Sequence, residues 1–158
     1  MRSNLLFICT GNYYRSRFAE AVFNFYASVR ELPWRASSRG LAVGPTPFPI
    51  SPFACARLQE LGIALSHTSP SPTGLTETDL ARSDRAIALE EREHRPMIVR
   101  LFPQWIERIR FWDVADVDRL PPAIALAKIE NHAHLLLEEL AGGPPAAMPP
   151  KKPLGSSG

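Results

Sequence analysis

The chain has 158 residues, of which 45% are hydrophobic and 22% are charged, and its formal net charge is +2. This composition is typical of one globular domain, and so small a charge does not indicate a nucleic-acid or membrane partner. Two cysteines, Cys9 and Cys55, cannot form the disulfide framework of a small secreted protein. The N-terminal apolar run is too short for a signal peptide, and no stretch is long enough to cross a bilayer. We therefore expect a cytoplasmic protein in a reducing compartment.

The predicted elements alternate between strands and helices along the chain. A continuous apolar run predicts a buried strand at residues 5–8, and further strands are predicted at residues 34–38, 85–89 and 106–114. Apolar residues at helical spacing predict helices at residues 16–29, 53–61, 76–81 and 121–140. Between them, the four prolines of residues 44–52 predict an irregular loop.

This alternation predicts an α/β fold. Strands that alternate with helices form a parallel sheet, so we expect a four-stranded parallel sheet flanked by helices on both faces. A single domain is predicted for residues 1–141. Residues 142–158 are mostly Gly, Pro, Ala, Lys and Ser, and they are predicted to form a disordered tail.

The clearest chemical motif lies between the first predicted strand and the first predicted helix. We refer to residues 9–16 as the phosphate loop, which reads Cys9-Thr10-Gly11-Asn12-Tyr13-Tyr14-Arg15-Ser16. Cys9 ends a buried strand at the sheet edge where open α/β sheets bind ligands. The following helix presents its N-terminal N–H groups to the same point. Gly11 is expected to let the backbone turn sharply, so that successive N–H groups point at an anion.

These residue types fit the transfer of a phosphoryl group. A thiolate at Cys9 is a competent nucleophile for a covalent intermediate, and Ser16 can donate a hydrogen bond to it. The planar guanidinium of Arg15 can bind two phosphoryl oxygens at once. If Cys9 were only a core residue and Arg15 only a solvated one, the Gly-Asn pair and Ser16 would have no explanation. The predicted phosphate-binding residues are Thr10, Gly11, Asn12, Tyr13, Tyr14 and Ser16.

The phosphate loop resembles that of the low-molecular-weight protein tyrosine phosphatases, which reads Cys-x-Gly-Asn-x-x-Arg-Ser directly after the first strand. The likeness extends from about residue 5 to residue 140. It implies a phosphatase with a phosphocysteine intermediate on Cys9, acting on phosphorylated proteins or small phosphate esters without a cofactor. It also implies that Asn12, Ser38 and His67 form a network that supports the loop. The other histidines lack partners at metal-ligand spacing, so we predict no metal.

Three features depart from the family pattern. Tyr14 stands where many members have a second cysteine, and the Asp-Pro-Tyr motif before the last helix is absent. The loop of residues 44–52 lacks the tryptophan or tyrosine that often forms one wall of the phosphotyrosine slot. Tyr13 and Phe48 are the candidates for replacement walls.

The general acid is expected on the loop after the last strand. A carboxyl group at the mouth of the pocket can protonate the leaving oxygen and later activate water. The candidates in this segment are Asp113, Asp116 and Asp118. Asp113 is favoured, because it follows the apolar run of residues 109–112 and lies about where the family places its acid. Asp116 is the alternative.

Two other functions also fit the loop. An arsenate reductase uses the same fold and the same oxyanion loop, but the thioredoxin-coupled type needs two further cysteines. This chain offers only Cys55, which lies on a predicted helix. The second alternative is a phosphate-binding module without turnover, which the missing Asp-Pro-Tyr motif would favour.

Overall fold

The sheet contains the four parallel strands that the sequence predicts. The computed structural model describes residues 2–142, so the predicted tail at 142–158 lies outside the described residues except for Gly142. The strands are β1 (Ser3–Cys9), β2 (Trp34–Gly40), β3 (Arg85–Ala88) and β4 (Ile109–Phe111). They are ordered β2-β1-β3-β4, and every neighbouring pair is parallel.

Helices cover both faces of this sheet. The α-helices of the described residues are α1 (Arg15–Val29), α2 (Pro52–Leu61), α3 (Glu77–Arg82), α4 (Glu91–Leu101) and α5 (Pro122–Gly142). On one face, α1, α2 and α5 pack on Phe7 and Ile87. On the other, α3 and α4 enclose Leu6 and Ile8, which alternate with Phe7 along β1. The predicted architecture is therefore confirmed.

Local sequence signals explain where the short helices begin and end. Pro52 lies in the first turn of α2, and the Ser51 side chain accepts a hydrogen bond from the Phe53 N–H. The helix ends at Gly62, whose φ of 73° is the left-handed cap expected from the sequence. Thr76 caps α3 through a reciprocal pair of hydrogen bonds with Asp79.

Two elements differ from the prediction. Helix α4 was not predicted, because it is highly charged, contains Pro96 and buries only His94 and Ile98. A buried stripe of two residues gives little helical periodicity. The last strand is also shorter than predicted at both ends, because residues 106–108 belong to the 3₁₀ helix Pro103–Arg108 and the pairing with β3 ends at Phe111.

The strand order determines where a site can form. The chain leaves β1 to pair on one side with β2 and on the other with β3, so loops diverge at the carboxyl end of β1. The segments that follow all four strands meet at this edge. Within residues 2–142, no helix combines the length and apolar character that crossing a membrane requires.

Candidate active site

The phosphate loop closes around the sulfur of Cys9. The Asn12 N–H donates to Cys9 Sγ at 3.3 Å, and Ser16 Oγ lies 2.9 Å from the same sulfur. Cys9 itself is only 2% exposed. The predicted contact between Ser16 and the thiol is therefore present, and two polar groups fix the position of the sulfur.

Asn12 provides the sharp turn of the loop. Its φ is 52°, a left-handed conformation that asparagine tolerates better than most residues. Gly11 lies in the same bend of residues 10–14 as expected, but it has no positive φ, so the left-handed residue of the loop is Asn12. The Asn12 amide donates to the hydroxyls of Ser16 and Ser38, both at 2.9 Å, and the Thr73 N–H donates to Asn12 Oδ1 at 2.8 Å. These bonds hold the turn in place.

The support network contains Ser38 as predicted, but it contains Glu20 instead of His67. The Ser38 hydroxyl donates to Glu20 Oε1 at 2.6 Å, and the Thr68 hydroxyl donates to the same oxygen at 2.7 Å. The His67 ring packs edge-on against Phe25, with 5.6 Å between ring centroids. The prediction for His67 is corrected, because its ring packs against α1 and, among the described residues, forms no hydrogen bond with Asn12 or Ser38.

The end of β2 allows the loop to pack closely against the sheet. A Cβ atom on Gly40 would lie 2.8 Å from the Thr10 carbonyl oxygen and 3.0 Å from the Asn12 nitrogen. Both atoms belong to the loop backbone, which cannot move aside without disturbing the site. Glycine is therefore required at this position.

Arg15 is buried at the base of the loop and is held by contacts from distant segments. Its Nη1 donates to the Val114 carbonyl at 3.0 Å, and its Nη2 donates to Glu93 Oε2 at 2.9 Å. Burial opposes its charge, but the hydrogen bond to Glu93 and the nearby negative charges outweigh burial and raise the pKa of Arg15. These bonds use two of the five N–H groups of the guanidinium, so three remain for an anion.

Sequence reasoning missed Glu93 and His94, which lie on the unpredicted α4. Glu93 Oε2 accepts from the Thr10 hydroxyl as well as from Arg15. The Glu90 N–H donates to His94 Nδ1 at 3.1 Å, so in the neutral ring the proton lies on Nε2. That nitrogen lies 3.1 Å from Thr10 Oγ1 and 3.4 Å from Glu93 Oε2.

This cluster keeps Glu93 ionised. Burial opposes the carboxylate, but hydrogen bonds from His94, Arg15 and Thr10 outweigh burial and hold the pKa of Glu93 well below its ordinary value of 4.5. In the sequence, a role for Glu93 and His94 is indicated only by their place in a Glu-Glu-Arg-Glu-His run. This run directly follows the third predicted strand, at the ligand-binding edge of the sheet.

A cavity of about 550 Å³ opens above Cys9. Thr10, Gly11 and Arg15 line it together with Cys9. Both candidate walls, Tyr13 and Phe48, line the cavity as well. Most of the remaining lining side chains are apolar or aromatic: Tyr14, Pro47, Pro52, Phe53 and Val117.

The cavity also contains Asp116 and not Asp113. Asp116 Oδ2 lies 3.6 Å from Arg15 Nη2. Asp113 lines a different cavity, where its carboxylate contacts His132 Nε2 at 2.7 Å and Lys128 Nζ at 3.2 Å. Burial opposes the charge of Asp113, but hydrogen bonds from His132 and Lys128 outweigh it and lower its pKa. The placement expected for Asp113 is therefore corrected to Asp116.

Tyr14 is unusual in this setting. It is 7% exposed, and its hydroxyl has no hydrogen-bond partner among the described residues. Burial, with a smaller contribution from the charge of Asp116, raises the pKa of Tyr14 to about 12. The hydroxyl therefore stays protonated.

The sequence matches the family described as low molecular weight phosphotyrosine protein phosphatase over residues 4–141. The chain belongs to this family. A protein-arginine-phosphatase of Bacillus subtilis is 33% identical over 106 residues, which cover 67% of each chain. The solved low molecular weight protein tyrosine phosphatase of T. tengcongensis is 29% identical with a TM-score of 0.75, and the match covers 87% of this chain and 99% of that one. An arginine phosphatase of Geobacillus stearothermophilus shares the fold, with 24% identity, a TM-score of 0.70 and coverages of 89% and 94%.

Family membership confirms the resemblance and the activity class: the protein is a phosphatase that hydrolyses phosphate monoesters. The family and the relatives support a phosphatase and favour neither of the two alternative functions. A carboxyl group, that of Asp116, lines the cavity although the Asp-Pro-Tyr motif is absent. Cys55, the only other cysteine, lies on α2 as predicted.

Proposed function

We propose that Cys9, Arg15 and Asp116 hydrolyse phosphate esters in two displacements. The Cys9 thiolate attacks phosphorus, the bond to the leaving oxygen breaks, and the Asp116 carboxyl group gives that oxygen its proton. Asp116 then takes a proton from water, which attacks the phosphocysteine. The S–P bond breaks, and phosphate leaves with the thiolate restored.

One observation carries this proposal: a nucleophile, a cation and a carboxyl group converge on one cavity. Cys9, Arg15 and Asp116 all line it, although Asp116 is about a hundred residues from the other two in the sequence. Asp116 is the proposed acid instead of Asp113, because the contacts with Lys128 and His132 hold Asp113 in its ionised form outside this cavity.

The loop supplies the groups that a transferring phosphoryl group requires. The free N–H groups of Arg15 and the loop backbone face the charge that spreads over the phosphoryl oxygens. Ser16, 2.9 Å from Cys9 Sγ, can stabilise the thiolate as it leaves in the second step. A reduced thiol is essential to this chemistry, which supports the expected location in the reducing cytoplasm.

The cavity walls favour an aromatic ester, that is, phosphotyrosine on a protein. Phe48, Phe53 and Tyr13 offer apolar faces on which a phenyl ring can pack. Phosphoarginine is the second candidate, because a protein-arginine-phosphatase is among the relatives. Its guanidinium group presents several N–H donors, and Asp116 is the only carboxylate among the described residues that line the cavity.

The test compares two peptides of identical sequence, one with phosphotyrosine and one with phosphoarginine at the same position. We expect kcat/KM to be higher for phosphotyrosine, with a phosphoenzyme that maps to Cys9 after acid quenching. Cys9→Ser should abolish turnover and still bind vanadate. Appreciable hydrolysis by Cys9→Ser would refute the mechanism, and a preference for phosphoarginine would refute the substrate.

A further inference from the structure

Arg17 is a buried cation that the catalytic steps do not use. It follows the phosphate loop directly, on the first turn of α1, and is only 1% exposed. In the described part of the chain it forms no ion pair with a carboxylate. Burial lowers the pKa of Arg17, against the opposing charges of Glu20 and Cys9, but a guanidinium remains charged at any physiological pH.

The Arg17 guanidinium donates to neutral oxygens on three separate segments. Nε donates to the Thr68 hydroxyl at 2.7 Å, and Nη2 donates to the Ser69 carbonyl. Nη1 donates to the Pro49 carbonyl at 2.9 Å and lies 3.4 Å from the Asn12 carbonyl. Burying a charge is costly unless it is fully hydrogen-bonded, so these contacts together make the position tenable.

The Pro49 contact is important because of the composition of its segment. Pro45, Pro47 and Pro49 lack an N–H group, so residues 44–50 have few donors of their own. The backbone hydrogen bonds that flank this segment lie outside it: the Ala42 N–H donates to the Thr10 carbonyl, and the Ser51 N–H donates to the Tyr13 carbonyl. Among the described residues, Arg17 alone ties the interior of the segment to the body of the protein by a hydrogen bond.

The segment held in this way contains one wall of the cavity. Phe48 precedes Pro49, is 54% exposed and lines the cavity above Cys9. The Pro49 ring fixes its own φ and the Phe48–Pro49 peptide is planar, so the position of the Pro49 carbonyl restricts where the Phe48 backbone, which carries the ring, can lie.

We propose that Arg17 is a specificity-determining positioning residue, which holds the Phe48 wall in place and so gives the site its preference for aromatic phosphate esters. This inference rests on the proposed aromatic substrate. It gives Arg17 the role of positioning the Phe48 wall. The weaker contact of Arg17 with the Asn12 carbonyl would otherwise suggest that it supports the phosphate loop.

The test measures inhibitor binding, so that it does not depend on turnover. Phenylphosphonate carries a ring that can contact the wall while its phosphonate group binds the phosphate loop, whereas inorganic phosphate can contact the loop alone. Arg17→Met should weaken phenylphosphonate roughly fivefold to tenfold, as expected for the loss of an aromatic contact, and leave phosphate within about twofold. The KM for phenyl phosphate should rise with kcat nearly unchanged. Arg85→Met, which removes an arginine paired with Glu139 far from the cavity, is the matched control.

A double-mutant cycle keeps the inference testable if Arg17→Met unfolds. Phe48→Ala changes an exposed side chain, and Arg17→Lys keeps the charge without the planar fork. We expect Phe48→Ala to abolish the effect of the Arg17 variant on phenylphosphonate, so that the two losses are not additive. Equal weakening of phosphate and phenylphosphonate would overturn the inference and assign Arg17 to loop support. Additive losses, or no loss with either inhibitor, would also overturn it.

Discussion

The phosphate loop and the acid segment (residues 112–120) face each other across one cavity and are held in different ways. The loop makes hydrogen bonds among its own residues, since Asn12 contacts Cys9 and Ser16 a few residues away, and adds bonds to distant segments. The acid segment depends on distant partners: Arg15 donates to the Val114 carbonyl, and Arg119 pairs with Glu90. A local motif can therefore specify the nucleophile, whereas tertiary contacts determine the acid.

The two regions also differ in exposure. The Arg15 side chain is 2% exposed, whereas that of Asp116 is 41% exposed at the mouth of the cavity. Changes in the loop should therefore affect both stability and chemistry. Changes at Asp116 should affect chemistry alone, and the following variants test this difference.

Arg15→Lys should have the largest effect. Lysine keeps the charge but loses the fork that binds two phosphoryl oxygens, so we expect kcat/KM for para-nitrophenyl phosphate to fall roughly 10³-fold. Vanadate binding should weaken in parallel. Arg57→Lys, on the surface of α2, is the control. A loss of less than tenfold for Arg15→Lys would show that the fork is not required.

Asp116→Asn should lower kcat by roughly 10²–10³-fold and remove the alkaline limb of the pH–rate profile. The loss should be larger for phenyl phosphate than for para-nitrophenyl phosphate, because the poorer leaving group needs the proton more. The melting temperature should stay close to that of the wild type. Asp113→Asn is the matched control, and the proposal fails if Asp113→Asn is the variant that loses activity.

Glu93→Gln should destabilise the protein by about 3 kcal/mol at neutral pH, because it leaves the buried Arg15 without its closest carboxylate. The pKa of Glu93 is depressed in the folded state. Its contribution is therefore present above its ordinary pKa of 4.5 and is lost as the pH falls below it. Urea unfolding measured from pH 7 to pH 3 should show that the difference in the free energy of unfolding between variant and wild type becomes smaller. A difference that is constant with pH would contradict this account.

Tyr14→Phe should have the smallest effect, and it should stabilise the protein, whereas Glu93→Gln destabilises it. Removing a buried hydroxyl that has no partner among the described residues should raise stability by about 1 kcal/mol. Differential scanning calorimetry can measure the change, and Tyr26→Phe on α1 is the control for loss of a hydroxyl. Destabilisation by Tyr14→Phe would mean that the hydroxyl makes a stabilising contact.

The sequence predicts the loop and the sheet well because their determinants are local. The spacing of Cys9, Asn12, Arg15 and Ser16 within eight residues is enough to bring them together. The acid could not be predicted in this way. Val114 continues along β3 by donating its N–H to the Leu89 carbonyl, so the chain reaches the cavity only at Asp116.

The support residues escaped prediction for a similar reason. Glu20 lies on the buried face of α1, where the sequence pattern indicates only a helix, and its partners Ser38 and Thr68 are far along the chain. Glu93 lies on a helix whose charge and proline conceal its periodicity. In both cases the hydrogen bonds join residues that are far apart in the sequence, so a short stretch of sequence cannot reveal them.

The close approach at Gly40 means that the site is sensitive to mutation at a position without any chemical role. A single methyl group there would overlap two backbone atoms of the loop, whereas at Gly11 its nearest neighbour would be 3.9 Å away. We therefore expect Gly11→Ala to fold normally and Gly40→Ala to disturb the fold, although only Gly11 belongs to the recognisable motif. Variation at Gly40 would therefore damage the site through loss of shape and not of reactivity.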